Sequence, residues 1–381
     1  GIGGMFGEIH AQGLTEQFKM VKEYDMSTLG NYSLQWIMAV VISQIIFSMT
    51  LGSAVRFFSV KDEREGRKAA WLNVGLCVIG AAIWIVPAIA ARLLFPEVVD
   101  GMDIGKPAEA AYAVVSMQLL PLGLLGIMVI AMFSTTASTL DTGLNGAAGI
   151  VVINMYPAIC RRFKFKQVTD EVRLIRYSRW ITVIFGIIMI MIALYFSGLD
   201  GAGMFEIMLD LTALLGIPTV IPNLMGLYIK RTPAWSGIFS ICVALIPSFV
   251  AFCGNKGWFG VEPWAYHEKV FIILFTGIAA YLFTMLFWKH ESEEKKAMIS
   301  EFFARVRRPI DFAGEVGSGT DALQMRFLGL FCMIIGGGVL LLLTIANSLI
   351  GVFSVLFLAL SMGGIGFALW FGGRRMDQSR G

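Results

Sequence analysis

Residues Ala131–Tyr156 read AMFSTTASTLDTGLNGAAGIVVINMY. The segment is apolar enough to sit in lipid, yet it holds Ser134, Thr135, Thr136, Ser138, Thr139, Asp141, Thr142 and Asn145 within three helical turns. Thr135, Ser138, Thr139 and Thr142 fall at i, i+3, i+4 and i+7, one face of a helix. Ser134, Ser138, Asp141 and Asn145 fall at i, i+4, i+7 and i+11, an adjoining face, and the two rows meet at Ser138. Polar groups at membrane depth are costly and mark function more often than chance. Every group in the rows offers oxygen and none offers imidazole or thiolate. That donor set suits a hard cation, and Na⁺ is the candidate. The competing reading is packing: hydroxylated residues also hydrogen-bond one transmembrane helix to another, at ~0.6–2 kcal/mol per pair.

The rest of the chain supplies the setting. It has 381 residues, of which 57% are hydrophobic and 15% charged, and its mean hydropathy is +0.74. A soluble domain is about 45–50% apolar and about 25% charged, so a soluble enzyme and a disordered chain are excluded. Thirty basic and 27 acidic residues leave a net charge of +3, too balanced for a nucleic-acid partner. The five cysteines form no CxxC and read as small buried hydrophobes. The partner implied is a lipid bilayer.

Nine stretches reach spanning length: 34–57, 68–94, 118–157, 175–196, 204–228, 233–253, 268–288, 325–346 and 350–371. Continuous apolar runs exclude a barrel, which makes the chain an all-α, polytopic transmembrane bundle. Basic residues crowd alternate loops: Arg56–Lys68, Arg161–Arg179, Lys230–Arg231, Lys289–Arg308 and Arg374–Arg375. The intervening loops 95–117 and 254–267 carry one lysine each. The positive-inside rule then puts residues 1–33 outside and the C-terminus inside. The third stretch is ambiguous by length. Its flanks differ sharply in charge, so it reads as one long helix from Pro121 to about Cys160. Glu291–Arg308 reads as a charged connector or an amphipathic surface helix.

Ser138–Asn145, STLDTGLN, resembles the run S-S-L-D-S-A-L-N of the sodium–solute symporter family, which includes bacterial proline and sugar symporters. Leu120–Gly126, Pro218–Pro222 with Gly226–Arg231, and Arg305–Phe312 resemble further segments of that family. The resemblance covers roughly residues 34–312. It implies a LeuT-type inverted-repeat core in a bacterial cytoplasmic (inner) membrane, and sodium-coupled symport of a small-molecule solute. By it, residues 34–231 are core helices six to ten, 232–288 peripheral helices, 289–324 a cytoplasmic loop, and 325–381 two last helices with a tail. Core helices one to five are then not in this chain, which is expected to be the C-terminal portion of a longer symporter. Ser138 and Thr139 would give sodium their hydroxyls and Thr135 a backbone carbonyl. A second sodium, as in some members, would use Asp141 and Thr142. A symporter-like sensor or solute-binding module without transport is the alternative. An intramembrane enzyme would need a convergent acid–base pair or metal, for which only Asp141, Glu206 and Asp210 qualify.

Four further residues are candidates for solute contact. Gln44, Ser48 and Thr50 lie in the first stretch, whose small and polar residues suit an interrupted helix. Asp210 lies deeper than its i−4 neighbour Glu206 in the fifth, ahead of the kink expected at Pro218 and Pro222. Trp258, Trp264, Tyr266, Trp288 and Trp370 read as interfacial anchors. The glycines Gly336–Gly338 and Gly363–Gly364 read as sites of close helix packing.

Overall fold

A computed structural model describes residues 2–25, 28–49, 63–104, 106–168, 170–198, 203–306, 321–344 and 349–378. The protein is all-α. Among the described residues, eight helices are long and apolar enough to cross a membrane, and the apolar helix Leu34–Ser48 is shorter. In chain order they are α1 Ile2–Ala11, α2 Leu34–Ser48, α3 Glu63–Leu94, α4 Pro96–Asp100, α5 Ala111–Leu119 and α6, which starts at Leu122–Ile150. Then come α7 Glu171–Ser197, α8 starting at Met204–Leu211, α9 Ser236–Asn255, α10 Tyr266–Phe283, α11 Glu293–Val306, α12 Asp321–Leu340 and α13 Leu349–Gln378. The chain divides into two units, 1–86 with 202–318 and 87–201 with 319–381.

In the first unit, α2, α8, α9 and α10 bury one apolar cluster. Trp36, Ala39 and Ile46 meet Ile217, Val220 and Ile221 of α8 and Val270 and Ile273 of α10. α8 is not a uniform helix. It widens to a π-turn at Thr212–Gly216 and resumes as Ile217–Tyr228. The turn lies immediately before Pro218, which has no N–H for the helical ladder, so the ladder is re-registered there. The expected kink is therefore a π-turn ahead of the first proline. At Gly277 of α10 the helices come so close that a Cβ would lie 2.4 Å from Ile221 Cδ1 and 3.2 Å from Ala244 Cβ. Ser240 Oγ donates to the Gly277 carbonyl at 2.8 Å, which satisfies a polar group inside this apolar contact.

α11 forms from the charged connector. Glu291, just before it, accepts from the Ala234 N–H at 3.1 Å and pairs with Lys295 at 3.2 Å. Lys230 Nζ donates to Ser300 Oγ at 3.0 Å. The Ala234 N–H, then the Lys295 ammonium, hold the Glu291 carboxyl below its ordinary pKa.

In the second unit, α6 runs unbroken from Leu122 through a π-turn at Val151–Met155 to Phe163. It is the single long helix that the flanking charges predict. At 41 residues from Gly123 to Phe163 it is about 60 Å long at ~1.5 Å per residue, about twice a hydrocarbon core. Loop 95–117 is not a bare connector. α4 and α5 fold back so that Val99, Ala111, Val114 and Val115 bury against Ala91, and Arg92 grips both oxygens of Asp100 at 2.8 and 2.7 Å.

α12 and α13 pack backbone to backbone. A Cβ on Gly329 would lie 2.5 Å from the Gly366 carbonyl oxygen, and one on Gly336 2.9 Å from that of Ala359. Of the glycines expected to serve this packing, Gly336 and Gly363 do so, since a Cβ on Gly336 would also lie 2.9 Å from the Gly363 backbone nitrogen, whereas one on Gly337, Gly338 or Gly364 would meet nothing within 4 Å. Gly329 and Gly366 instead make the tightest approach, because each helix repeats its contact face at i+7.

Candidate functional site

The hydroxyl rows of α6 are built locally. Thr135 Oγ1 donates to the Ala131 carbonyl at 2.9 Å, Thr139 Oγ1 to Thr135 at 3.0 Å and Thr142 Oγ1 to Ser138 at 2.9 Å. Each threonine proton is thus spent on the preceding turn, a common arrangement for threonine inside a helix. The hydroxyl oxygen keeps its lone pairs directed outward. Among the described residues, Ser138 and Ser134 make no such return bond. Ser138 and Thr139 therefore fit a hard cation. The Thr135 carbonyl fits it less well, since it already accepts from Thr139 as well as from the helix.

Asp141 and Thr142 continue the rows. Asn145 Nδ2 donates to Asp141 Oδ1 at 2.8 Å, and Asn145 Oδ1 accepts from Thr182 of α7 at 3.4 Å. This chain is of the helix-packing kind, so the lower end of the stripe joins α6 to α7. The row residues from Ser134 to Asn145 are exposed within their unit, and Thr182 is half-buried.

Asp210 lies elsewhere, in the first unit. It sits on the first segment of α8, four residues after Glu206, and both line a cavity of about 210 Å³. Lys269 of α10 donates to Asp210 Oδ1 at 2.7 Å, and Asn255 at the end of α9 donates to Oδ2 at 2.9 Å. The ammonium is the enclosed partner: the Lys269 side chain is 7% exposed and that of Asp210 39%. Tyr32, Trp36 and Tyr266 form an aromatic wall, with ring centroids 4.9 Å apart for the first pair and 6.2 Å for the second. Tyr266 is buried and its hydroxyl meets Ser43 Oγ at 3.4 Å. It is thus part of the core and cavity wall, and not an interfacial anchor; Trp264 also lines the cavity.

The other solute candidates are not brought there. Gln44 and Ser48 are exposed on α2, one turn apart, and do not line the cavity. The buried polar residue of α2 is their neighbour Ser43. α2 ends at Ser48, within the stretch expected to be interrupted; Thr50 lies outside the described residues. Lys269 was not evident as a site residue. The available signal was one lysine a turn inside an apolar span, with an acid in another span to neutralise it.

The fold and the oxygen-rich row define a polytopic helical membrane protein of the transporter class. The sodium:solute symporter family matches residues 7–242, more than half of the chain, and the chain belongs to that family. It is 21% identical over 207 residues to the uncharacterized symporter YidK of Escherichia coli, covering 54% of this chain and 34% of YidK. It is 22% identical over 246 residues to human sodium/glucose cotransporter 4, covering 59% and 35%. With bovine sodium/myo-inositol cotransporter 2 it shares 22% identity over 205 residues, covering 51% and 30%. The chain thus spans about a third of the length of the curated relatives it matches. No solved structure matches it.

Proposed function

We propose that this chain works in sodium-coupled symport of a small solute across a bacterial cytoplasmic membrane. In this reading residues 1–33 face outside and the C-terminus inside. Residues 34–231 serve as the second repeat of a LeuT-type core. The observation that carries the proposal is the outward row of hydroxyl oxygens at Ser138 and Thr139 on α6, in a family defined by sodium coupling. These two hydroxyls are the primary sodium ligands. Thr135 contributes its carbonyl once the Thr139 hydroxyl turns from it to the ion. Asp141 with Thr142 is the position for a second ion. Because one helix face cannot surround a cation, ligands from another segment complete the shell. That requirement supplies the coupling: sodium is held only in the conformation that brings the two together, and solute favours the same conformation. The relatives' names point to sodium as the driving ion for solutes such as glucose and myo-inositol.

The experiment is sodium-dependent uptake by the full-length protein carrying Ser138→Ala or Thr139→Ala. Each variant should raise the sodium concentration for half-maximal uptake about tenfold, the equivalent of ~1.4 kcal/mol. An unchanged sodium requirement in both would remove the assignment.

A further inference from the structure

The segment that closes α6 reads RRFKFK, Arg161–Lys166, four cations and two phenylalanines in six positions. Three more cations, Arg173, Arg176 and Arg179, follow on the first three turns of α7. Against these seven stand two acids, Asp170 and Glu171, so residues 161–179 carry a net charge of +5. Asp170 is taken by Arg173 at 3.3 Å. Among the described residues, none of the four cations of Arg161–Lys166 is paired with a carboxylate, and all four are exposed.

The rings are as open as the charges. Phe163 and Phe165 are 65% and 67% exposed and stack on each other with centroids 6.0 Å apart. The backbone sets up this pair. Lys164 takes the left-handed conformation, φ 54°, which ends the helix, and the Phe165 N–H returns to the Cys160 carbonyl at 2.9 Å. Just beyond, the Val168 N–H donates to the Tyr156 hydroxyl at 3.1 Å and ties the turn back to α6. Its height suits a membrane face. The last twenty residues of α7, 178–197, are enough to cross a hydrocarbon core of ~30 Å. The seven residues before them add about 10 Å of helix. The turn therefore stands at the outer edge of the headgroup layer, within about a Debye length of the lipid phosphates. The positive-inside rule accounts for basic residues at such a place, but not for two phenylalanines left in water.

We propose that the Arg161–Lys166 turn docks on anionic phospholipid of the bilayer that α6 spans. The cations meet the phosphates, and the stacked rings dip among the headgroups, which removes their apolar surface from water. Nucleic acid also takes basic and aromatic side chains, but this turn is carried on a spanning helix, and the neighbouring Ile175 and Trp180 of α7 are themselves exposed. Docking needs neither sodium nor solute, so it stands or falls apart from the symport reading.

The test is native mass spectrometry of the full-length protein in neutral detergent, titrated with phosphatidylglycerol or with phosphatidylcholine of the same chains. The first phosphatidylglycerol should bind at least about tenfold more tightly than the first phosphatidylcholine. Arg161→Gln with Arg162→Gln should cut that preference about fivefold or more. Phe163→Ala with Phe165→Ala should weaken phosphatidylglycerol about threefold or more. Arg374→Gln with Arg375→Gln at the end of α13, the same loss of charge elsewhere, should change it less than about twofold. All of these positions are exposed, so the core is left alone, and a monodisperse elution profile verifies folding. Equal affinity of the wild type for the two lipids overturns the proposal. So does an equal loss in the two arginine pairs, an unchanged affinity in the phenylalanine pair, or displacement of the lipid by single-stranded RNA, which would make the turn a nucleic-acid surface.

Discussion

The Asp210 cavity and the α6 hydroxyl rows are both polar groups in an apolar chain, but they are assembled in opposite ways. The cavity gathers side chains from segments more than 200 residues apart and encloses a charge, Lys269, by pairing it with Asp210, which Asn255 holds from its other oxygen. The α6 rows come from twelve consecutive positions of one helix, Ser134 to Asn145, and their hydrogen bonds run mostly back onto that helix. A charge that must be buried needs its partners fixed in advance. A reversible ion site needs the reverse: ligands ready on one element and closure supplied by another. The first region is thus tied to stability, and the second suits the exchange proposed for it.

This contrast breaks most readily at Asp210. Asp210→Ala leaves Lys269 enclosed without its counter-charge, and should destabilise the protein by about 3 kcal/mol, the lower end for a broken buried pair because Asp210 is itself 39% exposed. The double variant Asp210→Asn with Lys269→Met should recover most of that loss in a thermal unfolding series. If the single variant matches wild type, the pair holds nothing together. A comparable effect is expected where helices touch backbone to backbone. Gly366→Leu should lower stability by up to about 3 kcal/mol through overpacking against Gly329 and Met333. Gly337→Leu, facing open space, should change it by less than ~0.5 kcal/mol. Equal melting temperatures for the two would contradict the packing described for α12 and α13.

A smaller effect concerns Glu291. Its carboxyl titrates below the ordinary value of 4.5 in the folded protein. The stabilisation from its contacts with the Ala234 N–H and Lys295 is therefore complete above about pH 4.5, and is lost as pH falls through the lower folded value. Glu291→Gln should flatten this acid limb by lowering stability slightly at neutral pH and leaving it nearly unchanged below the folded value. An identical acid limb in both proteins would show that the contact does not form.

The spans were legible in the sequence because lipid demands long apolar runs, and α6 as one helix because its flanks differ in charge. The rows at Ser138 and Thr139 were legible because they lie on one helix, where spacing alone fixes the face. The cavity was only partly so. Asp210 stood out as a charge in a span, but Lys269 and Asn255 meet it, and Trp36 joins the same cavity, through tertiary packing of α2, α8, α9 and α10, which no local period encodes. The short helices within loop 95–117 were not legible because its apolar residues are spread over helices of five to nine residues, too short for a periodic signal. The packing glycines were legible only in part, at Gly336 and Gly363, for a related reason: a consecutive run is conspicuous, while the i+7 repeat that makes contact is not.

The central claim is that the α6 row, and not α6 hydroxyls in general, binds sodium. It is tested most directly by sodium-dependent uptake in Ser138→Ala, Thr139→Ala and Thr136→Ala of the full-length protein. Thr136 carries the same hydroxyl, bonded to the Met132 carbonyl at 3.0 Å, but lies off both rows. The account predicts about a tenfold higher sodium requirement for the first two and less than about a twofold change for the third. The same shift in all three, or in none, would contradict it.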